Sequence, residues 1–466
     1  MTTEQQLPEG WKIERLGDIA ISEKGKKPKN QSSEKTDTYC YPYVDIEAFE
    51  KGVIKSYTDG VKCVLCDEDD FLMVWDGSRS GLVGKGIRGA LGSTLVRISL
   101  PEVSNLYAYY FLLSKYQEIN TRAKGSGTPH VDPDLLWNYA FPIPPNLETQ
   151  QAIVNKIESL FDEIDEGIGR LKTAAQQIQQ YRQSLLKNAF NGELTKEWRS
   201  KHADTLPSEN ELLAQIQATR EQHHAQQLAD WQTAVSQWEQ NGKEGKKPSK
   251  PKAPTQAVKF EENFADLPKG WIWGKLSDLG ELARGKSKHR PRNDKKLFGG
   301  RYPFIQTGEV RAANRIIKKY EQTYSEFGLE QSKLWQKGTL CITIAANIAE
   351  TAFLGFDACF PDSIVGFSAS KAVLPEYIEL FIKSARTRIE SYAPATAQKN
   401  INLNTLENLI VPYCSLAEQT QIVAILESKL TACDQLAAEL AKQLKQAELL
   451  KQAVLKAAFS GSLLDK

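Results

Sequence analysis

Apolar residues recur every seven positions in two widely separated stretches of the chain. Ile157, Ile164, Leu171, Ile178 and Leu185 form one series; Leu426, Cys433, Leu440, Ala447 and Val454 form the other. A second seam with the same period accompanies each: Leu160, Gly167, Ala174 and Tyr181 in the first stretch, Leu430, Ala437, Leu444 and Lys451 in the second. An apolar repeat averaging 3.5 residues, kept up over four or more heptads, specifies a coiled coil. Small residues at 167, 174, 437 and 447 let helices approach closely. Each predicted helix starts after proline, at Pro144-Pro145-Asn146 and after Pro412, where Ser415-Leu416-Ala417-Glu418 has the form of a capping box. Each ends near a glycine, Gly192 or Gly461, suited to a C-terminal cap.

The two stretches are copies. Leu147–Leu194 matches Leu416–Leu463 without a gap at an offset of 269. Leu186-Lys187-Asn188-Ala189-Phe190-Asn191-Gly192 returns as Leu455-Lys456-Ala457-Ala458-Phe459-Ser460-Gly461. Further upstream, Leu7-Pro8-Glu9-Gly10-Trp11 returns as Leu267-Pro268-Lys269-Gly270-Trp271. So long a period means a duplicated domain pair, not a short-period solenoid. Ahead of each helix lie about 140 residues of short β-type runs broken by Gly and Pro, such as Phe71–Trp75 and Thr339–Ile344. Helical patterns are mixed in near Asn105–Lys115 and Pro375–Ile389. The expected fold class is α+β, with two α+β domains at 1–146 and 259–415 and long helices at 147–194 and 416–466. Residues 195–258 read as a polar helix, opened by the capping box Ser208-Glu209-Asn210-Glu211 and running to about Gln240, followed by the Lys/Pro-rich linker Asn241–Pro254. That linker is either a solvated spacer or an arm that touches phosphates.

Composition narrows the function. A chain of 466 residues, 41% of them hydrophobic, suggests two to four folded units. Lys+Arg 59 against Asp+Glu 58 leaves almost no net charge, so nucleic-acid binding would have to rest on local patches. No run of 18 apolar residues occurs and the first ten residues form no signal segment, so a cytoplasmic chain without membrane contact is expected. Seven cysteines suggest no disulfide framework. Cys63 and Cys66 form a single CxxC with no second ligand pair, so no metal site is expected and both read as small buried hydrophobes. Gly77–Gly86 resembles a phosphate loop, but residue 79 is Arg where the first Gly is needed, and Gly86 follows Lys85 where Ser or Thr is needed. No Asn-Pro-Pro-Tyr, HExxH or GxSxG motif occurs, and the five histidines are scattered. Such silence favours a binding chain over an enzyme, with no catalytic residue and no cofactor on the chain.

What chemistry there is lies in loops. Each α+β domain carries a basic loop shortly after its Gly-Trp signature. The first offers Lys24, Lys26, Lys27, Lys29 and Asn30, and the second Arg284, Lys286, Lys288, His289, Arg290 and Arg292. Long cations on Gly/Pro-bearing loops can follow a phosphate backbone. One such run is more often a solvated surface; recurrence at matching places argues for function. Ser78, Arg79, Lys85 and Arg88 follow an apolar strand. Thr128 and His130 in the first copy, and Gln398, Lys399 and Asn400 in the second, precede the long helices. Gln306, Arg311, Asn314 and Arg315 follow another strand. Arg, Asn and Gln can make paired contacts to guanine or adenine edges, though any one of them could simply stabilise its own loop.

Taken in order, these marks resemble the specificity subunits of type I restriction–modification systems. The resemblance rests on Leu-Pro-Glu-Gly-Trp at 7–11, Gly-Thr-Pro-His at 127–130, Ile-Pro-Pro at 143–145, Ala-Phe-Asn-Gly-Glu-Leu-Thr at 189–195 and Phe-Pro-Asp-Ser-Ile-Val-Gly-Phe at 360–367. It covers nearly the whole chain. The second copy departs from it with Val411-Pro412-Tyr413 in place of a Pro-Pro pair, and only three residues follow Leu463. The resemblance implies two target-recognition domains, each reading one half of a split double-stranded DNA target, and two long helices paired antiparallel. It also implies two modification subunits carrying S-adenosylmethionine and methylating adenine, and restriction subunits using ATP and Mg. A helix of 48 residues spans roughly 70 Å, well over one duplex turn of about 34 Å. A rod with a reader at each end could measure separated half-sites, and two different readers imply an asymmetric target. Alternatives are a methylation-only complex, a coiled-coil scaffold that binds protein alone, and an enzyme with an unrecognised site.

Overall fold

A computed structural model describes residues 7–125, 127–245, 247–254, 266–393 and 400–464. The chain folds as two compact units, Met1–Ala175 with Ala438–Lys466, and Gln176–Ala437. Each unit combines an α+β domain with part of both long helices.

In the first unit, four antiparallel strands lie in the order Ile21–Lys24, Leu95–Ser99, Phe71–Val74, Val83–Lys85. Alternation along a strand sends successive side chains to opposite faces. Phe71 and Met73 therefore enter a core with the helix Asn105–Thr121, while Leu72 and Val74 enter another with Val44 and Leu91. A continuous apolar run marks a strand covered on both faces. Short strands at 31–32, 57–58, 41–44, 89–91 and 65–66 make a second sheet. Cys66 is buried there, its thiol donating to Ile87 O at 3.0 Å.

The second unit repeats the antiparallel order with Gly280–Arg284, Ile364–Ala369, Leu340–Thr343 and Thr351–Leu354, and adds Ile316–Ile317 parallel at the edge. In both units a two-stranded ribbon joins the ends of the α+β domain: Lys12–Arg15 with Ala140–Ile143, and Ile272–Lys275 with Ile410–Tyr413.

The duplication runs deeper than the sequence match. Helices Asn105–Thr121 and Pro375–Ser391 are both 17 residues long. Tyr107 donates to Pro142 O at 2.9 Å and Tyr377 to Pro412 O at 2.7 Å. Burial raises the pKa of both phenols, which keeps each a donor. Buried Gln150 accepts from Ser104 N at 2.8 Å, and buried Gln419 from Leu374 N at 2.9 Å, so each long helix is latched to its domain in the same way.

The long helices, Leu147–Phe190 and Leu416–Phe459, have 44 residues each. In the first unit, Ile153, Val154 and Ile157 share a core with Val454, Leu455 and Ala458. In the second, Leu185, Ala189 and Phe190 share one with Ile422, Val423 and Leu426. In each unit the start of one helix meets the end of the other, which is antiparallel packing. Ile157, Leu185, Leu426, Cys433 and Val454 are buried, and Ile164, Leu171, Ile178, Leu440 and Ala447 are half-buried. Full burial of one such aliphatic side chain contributes about 1.5–3 kcal/mol. The second seam is less regular. Tyr181 is 47% exposed, being too large for a seam built from Gly167 and Ala174. Lys451 holds its seam position by pairing with Asp165 and lying over the ring of Phe161.

Gly192 and Gly461 take φ of 79° and 80°, the left-handed conformation of a helix C-cap. Each meets the Leu-Pro-x-Gly-Trp turn of the other copy. A Cβ at Gly192 would lie 2.3 Å from Pro268 Cγ, and one at Gly461 2.2 Å from Pro8 Cδ. The capping box at Ser415 forms by half. Ser415 Oγ accepts from Glu418 N at 3.2 Å, but the Glu418 carboxylate instead accepts from Thr195 Oγ1 at 2.7 Å, Arg199 Nη1 at 2.6 Å and Trp271 Nε1 at 2.8 Å. The polar helix spans Glu209–Gln240 with its capping box intact. Among the described residues no helix is long and apolar enough to cross a membrane.

Candidate nucleic-acid interface

In the first unit three segments far apart in sequence meet at Asp76, just past the strand Phe71–Val74. Lys24 Nζ lies 2.8 Å from Asp76 Oδ2. The loop before the first long helix is closed by reciprocal backbone bonds between Lys124 and His130, at 2.9 and 2.8 Å. It is joined to the strand end by Val131 N to Trp75 O at 2.9 Å and Gly77 N to Pro129 O at 2.7 Å. Lys24, Ser78, Arg79, Thr128 and His130 are therefore neighbours. Asn120 holds the turn carrying Ser78 and Arg79, donating to Ser78 O and Ser80 O at 3.0 Å each.

The second unit builds the same junction. Ile401 N donates to Ile344 O at 2.9 Å, and Ala345 bridges to Asn400 as Asp76 does to His130. Arg284 Nε and Nη2 donate to Asp362 O at 2.9 and 2.7 Å, and Arg292 Nη2 donates to Asp362 Oδ2 at 3.0 Å. Arg284, Arg292, Asp362 and Asn400 line a cavity of about 260 Å³. Gln398 and Lys399 lie outside the described residues.

Both basic loops leave their strand through a glycine held by close backbone approach. A Cβ at Gly25 would lie 2.2 Å from Gly92 O, and one at Gly285 2.3 Å from Phe360 O. Beyond it, Lys26, Lys27 and Lys29 are exposed, as are Lys286 and Lys288, with no side-chain ion pair among the described residues. The other loop residues are engaged. Asn30 donates to Asp59 at 2.8 Å, which lowers the pKa of that carboxyl. His289 bonds Asp294 at 2.7 Å, and Arg290 donates to Ser287 O at 2.7 Å and His289 O at 2.9 Å. These contacts shape the loop.

The remaining side chains are paired locally or stand apart from the junctions. Arg79, though 57% exposed, is paired with Glu50 at 2.7 Å, and Lys85 with Glu158 of the first long helix at 3.6 Å. Arg88 is exposed. Gln306 precedes a short helix, its N–H bonded to Glu309 and its side chain to Gln322 at 3.0 Å; Arg311 and Asn314 are exposed nearby. Arg315 is a structural residue. It has φ of 66°, and its guanidinium bonds fully buried Glu379 at 2.9 Å and also Glu427. A buried carboxylate needs that cation, so the guanidinium is engaged within the fold.

The sequence places Asp76 in a polar loop, Asp76-Gly77-Ser78-Arg79, able to reach base edges, and Asp362 in the 360–367 run, but neither carboxylate stands out there as a site residue of its own. The available signal was position: one directly precedes Gly77-Ser78, and the other sits inside the 360–367 run.

A family model, the type I restriction modification DNA specificity domain, matches residues 8–172 and 268–446. The chain is similar to the EcoKI specificity subunit of Escherichia coli (strain K12), 22% identical over 98% of this chain and 90% of that protein. It is 33% identical to the MjaVIII specificity subunit of Methanocaldococcus jannaschii, over 40% of this chain and 43% of that protein. Two solved structures share the fold. One is a chain from structural work on complex assembly and conformational transition of the type I R-M system, with TM-score 0.68 and 18% identity, covering 98% of this chain and 100% of that one. The other is the HsdS subunit of Thermoanaerobacter tengcongensis, with TM-score 0.51 and 16% identity, covering 98% of both chains.

Proposed function

The chain belongs to the family of type I restriction modification DNA specificity domains, and on that premise we propose that it is the sequence-reading subunit of a type I restriction–modification complex. The observation that carries this reading is the pair of equivalent loop junctions, around Asp76 and around Asp362, each gathering cations and hydrogen-bonding side chains from distant segments. Each junction belongs to one recognition domain, 1–146 or 259–415, and reads one half of a bipartite double-stranded target. Because the first junction offers Lys24, Ser78 and His130 while the second offers Arg284, Arg292 and Asn400, the half-sites differ and the target is asymmetric. Exposed Lys26, Lys27, Lys29, Lys286 and Lys288 hold phosphates and set position. Arg79, Arg292, Asn400 and the carboxylates reach base edges, an acidic acceptor suiting cytosine N4.

The long helices at 147–194 and 416–466 set the spacer and dock two modification subunits. Those subunits carry S-adenosylmethionine, and restriction subunits, where present, use ATP and Mg. The chain itself performs no chemistry and works in the cytoplasm, where the DNA is. Purification with and without modification subunits tests this. The homogeneous chain should transfer no methyl group, and the complex should bind and methylate a split, asymmetric sequence. Methyl transfer or cleavage by the chain alone, or failure of any methyltransferase to co-purify, would contradict it.

A further inference from the structure

The linker after the polar helix is built, not slack. The chain reverses at Asn241–Gly245, with Lys243 N bonded to Trp238 O at 2.9 Å, and runs back along the helix. Two indoles pin it: Trp238 Nε1 donates to Gly245 O at 3.3 Å and Trp231 Nε1 to Pro248 O at 3.1 Å. Pro248, Pro251 and Pro254 recur every third residue, the repeat of a polyproline II turn. All three are half-buried, whereas Lys247, Lys250 and Lys252 are exposed. Prolines thus stiffen the strap and lysines face water. Lys247 and Lys250 each lie 5.9 Å from the ring centre of the tryptophan beneath, Trp238 and Trp231.

The position of this arm follows from how the polar helix docks. Arg220 bonds Asp278 at 3.0 Å, and His223 bonds Glu281 at 3.1 Å, as Gln227 also does. The helix therefore docks on the second α+β domain at Asp278 and Glu281. The returning strap also lies against that domain, Lys252 and Pro254 lining a cavity with Asp278, Glu281 and Lys371.

We propose that the arm carrying Lys243, Lys247, Lys250 and Lys252 is an auxiliary, sequence-independent DNA contact, which grips backbone phosphates flanking the half-site read by the second recognition domain. The proposal rests on the DNA-reading function argued above. Its chemistry is that of positioning: lysines on a stiff strap neutralise phosphates without reading bases.

The test uses the full chain assembled with its modification subunits. Binding to a duplex extending well beyond the target, and to an unrelated duplex of equal length, is measured across a salt series. K247Q/K250Q should flatten the log–log salt dependence by about 1.8, at about 0.9 for each phosphate no longer neutralised, on both duplexes alike. K247E/K250E should weaken both further, and the methylated sequence should stay the same in both variants. These lysines are exposed, so the variants should keep the wild-type melting profile. An unchanged slope in both variants would overturn the arm alone. So would weaker capture of modification subunits with DNA binding intact, which would make the arm a protein contact. If the wild-type complex showed no preference for its own target, the DNA-reading function would fall and the arm with it.

Discussion

Lys451 of the second long helix places its ammonium 2.6 Å from Asp165 Oδ2 of the first. In the other unit Arg182 pairs with Asp434 across the same two helices. Positions 165 and 182 are seventeen apart, as are 434 and 451 in the opposite order, so each unit keeps one antiparallel register. Lengthening one helix alone would break a pair. Four residues added after both Leu171 and Leu444 should preserve both pairs and extend each helix by about 6 Å. At about 3.4 Å per base pair, the gap between half-sites should grow by one or two base pairs. Some affinity should be lost, because four residues introduce a stutter. Mapping of methylated sites checks this; the old spacing would end the ruler idea, and altered half-sites would show that the helices help to read bases.

Glu418 is almost fully buried beneath Thr195, Arg199 and Trp271. Glu418→Ala would strand a buried guanidinium and an indole N–H, and should cost about 3 kcal/mol. Glu418→Gln, which keeps the acceptor, should cost less. Urea unfolding followed by tryptophan fluorescence measures both; a cost below about 1 kcal/mol for the alanine variant would show the cluster to be solvated.

The basic loops should separate into binding and shaping residues. Lys26→Ala with Lys27→Ala should flatten the salt dependence of DNA binding by about 0.9 for each phosphate these lysines neutralise. Arg290→Ala should act through loop order, because its guanidinium is spent on Ser287 O and His289 O. Arg315→Ala should leave the target unchanged and lower stability by up to about 3 kcal/mol, moderated because Lys383 still pairs with Glu379 at 2.6 Å. A change of target in Arg315→Ala would return that residue to the interface.

The cysteines should differ sharply in reactivity. Cys40 is exposed, Cys63 is half-buried, and the other five are buried. Burial, with Asp70 adding to it, pushes the Cys66 thiol up to about 11. Thiolate is the reactive form. Alkylation of the folded protein at pH 8 should take Cys40 first, then Cys63, and reach Cys66, Cys341, Cys359, Cys414 and Cys433 only after denaturation. Early modification of Cys66 would mean that the small sheet around it opens.

Periodic features were legible in the sequence, while contacts between distant segments were not. Heptads and caps are local patterns, so the two 44-residue helices and the 32-residue polar helix were readable from spacing alone. The equivalence of the two sheets was hidden, because what recurs there is strand order and runs of buried positions, not residue identity. The site was half visible. Basic loops can be seen as composition, but that Arg284 is spent on a carbonyl 78 residues away, or that Arg315 is claimed by Glu379, depends on tertiary approach. Glu418 shows the same competition within one motif: local spacing promised a reciprocal capping box, and Arg199 with Trp271 offered the carboxylate stronger partners.

The most direct test of the central claim is exchange of one reader. Residues 1–146 would be replaced by the equivalent region of a relative with a different target, and methylated sites mapped in cells that supply the modification subunits. Two independent readers predict that one half-site changes to the donor's while the other half-site and the spacer stay as they were. A target changed in both halves, or unchanged in both, would contradict the assignment of one half-site to each recognition domain.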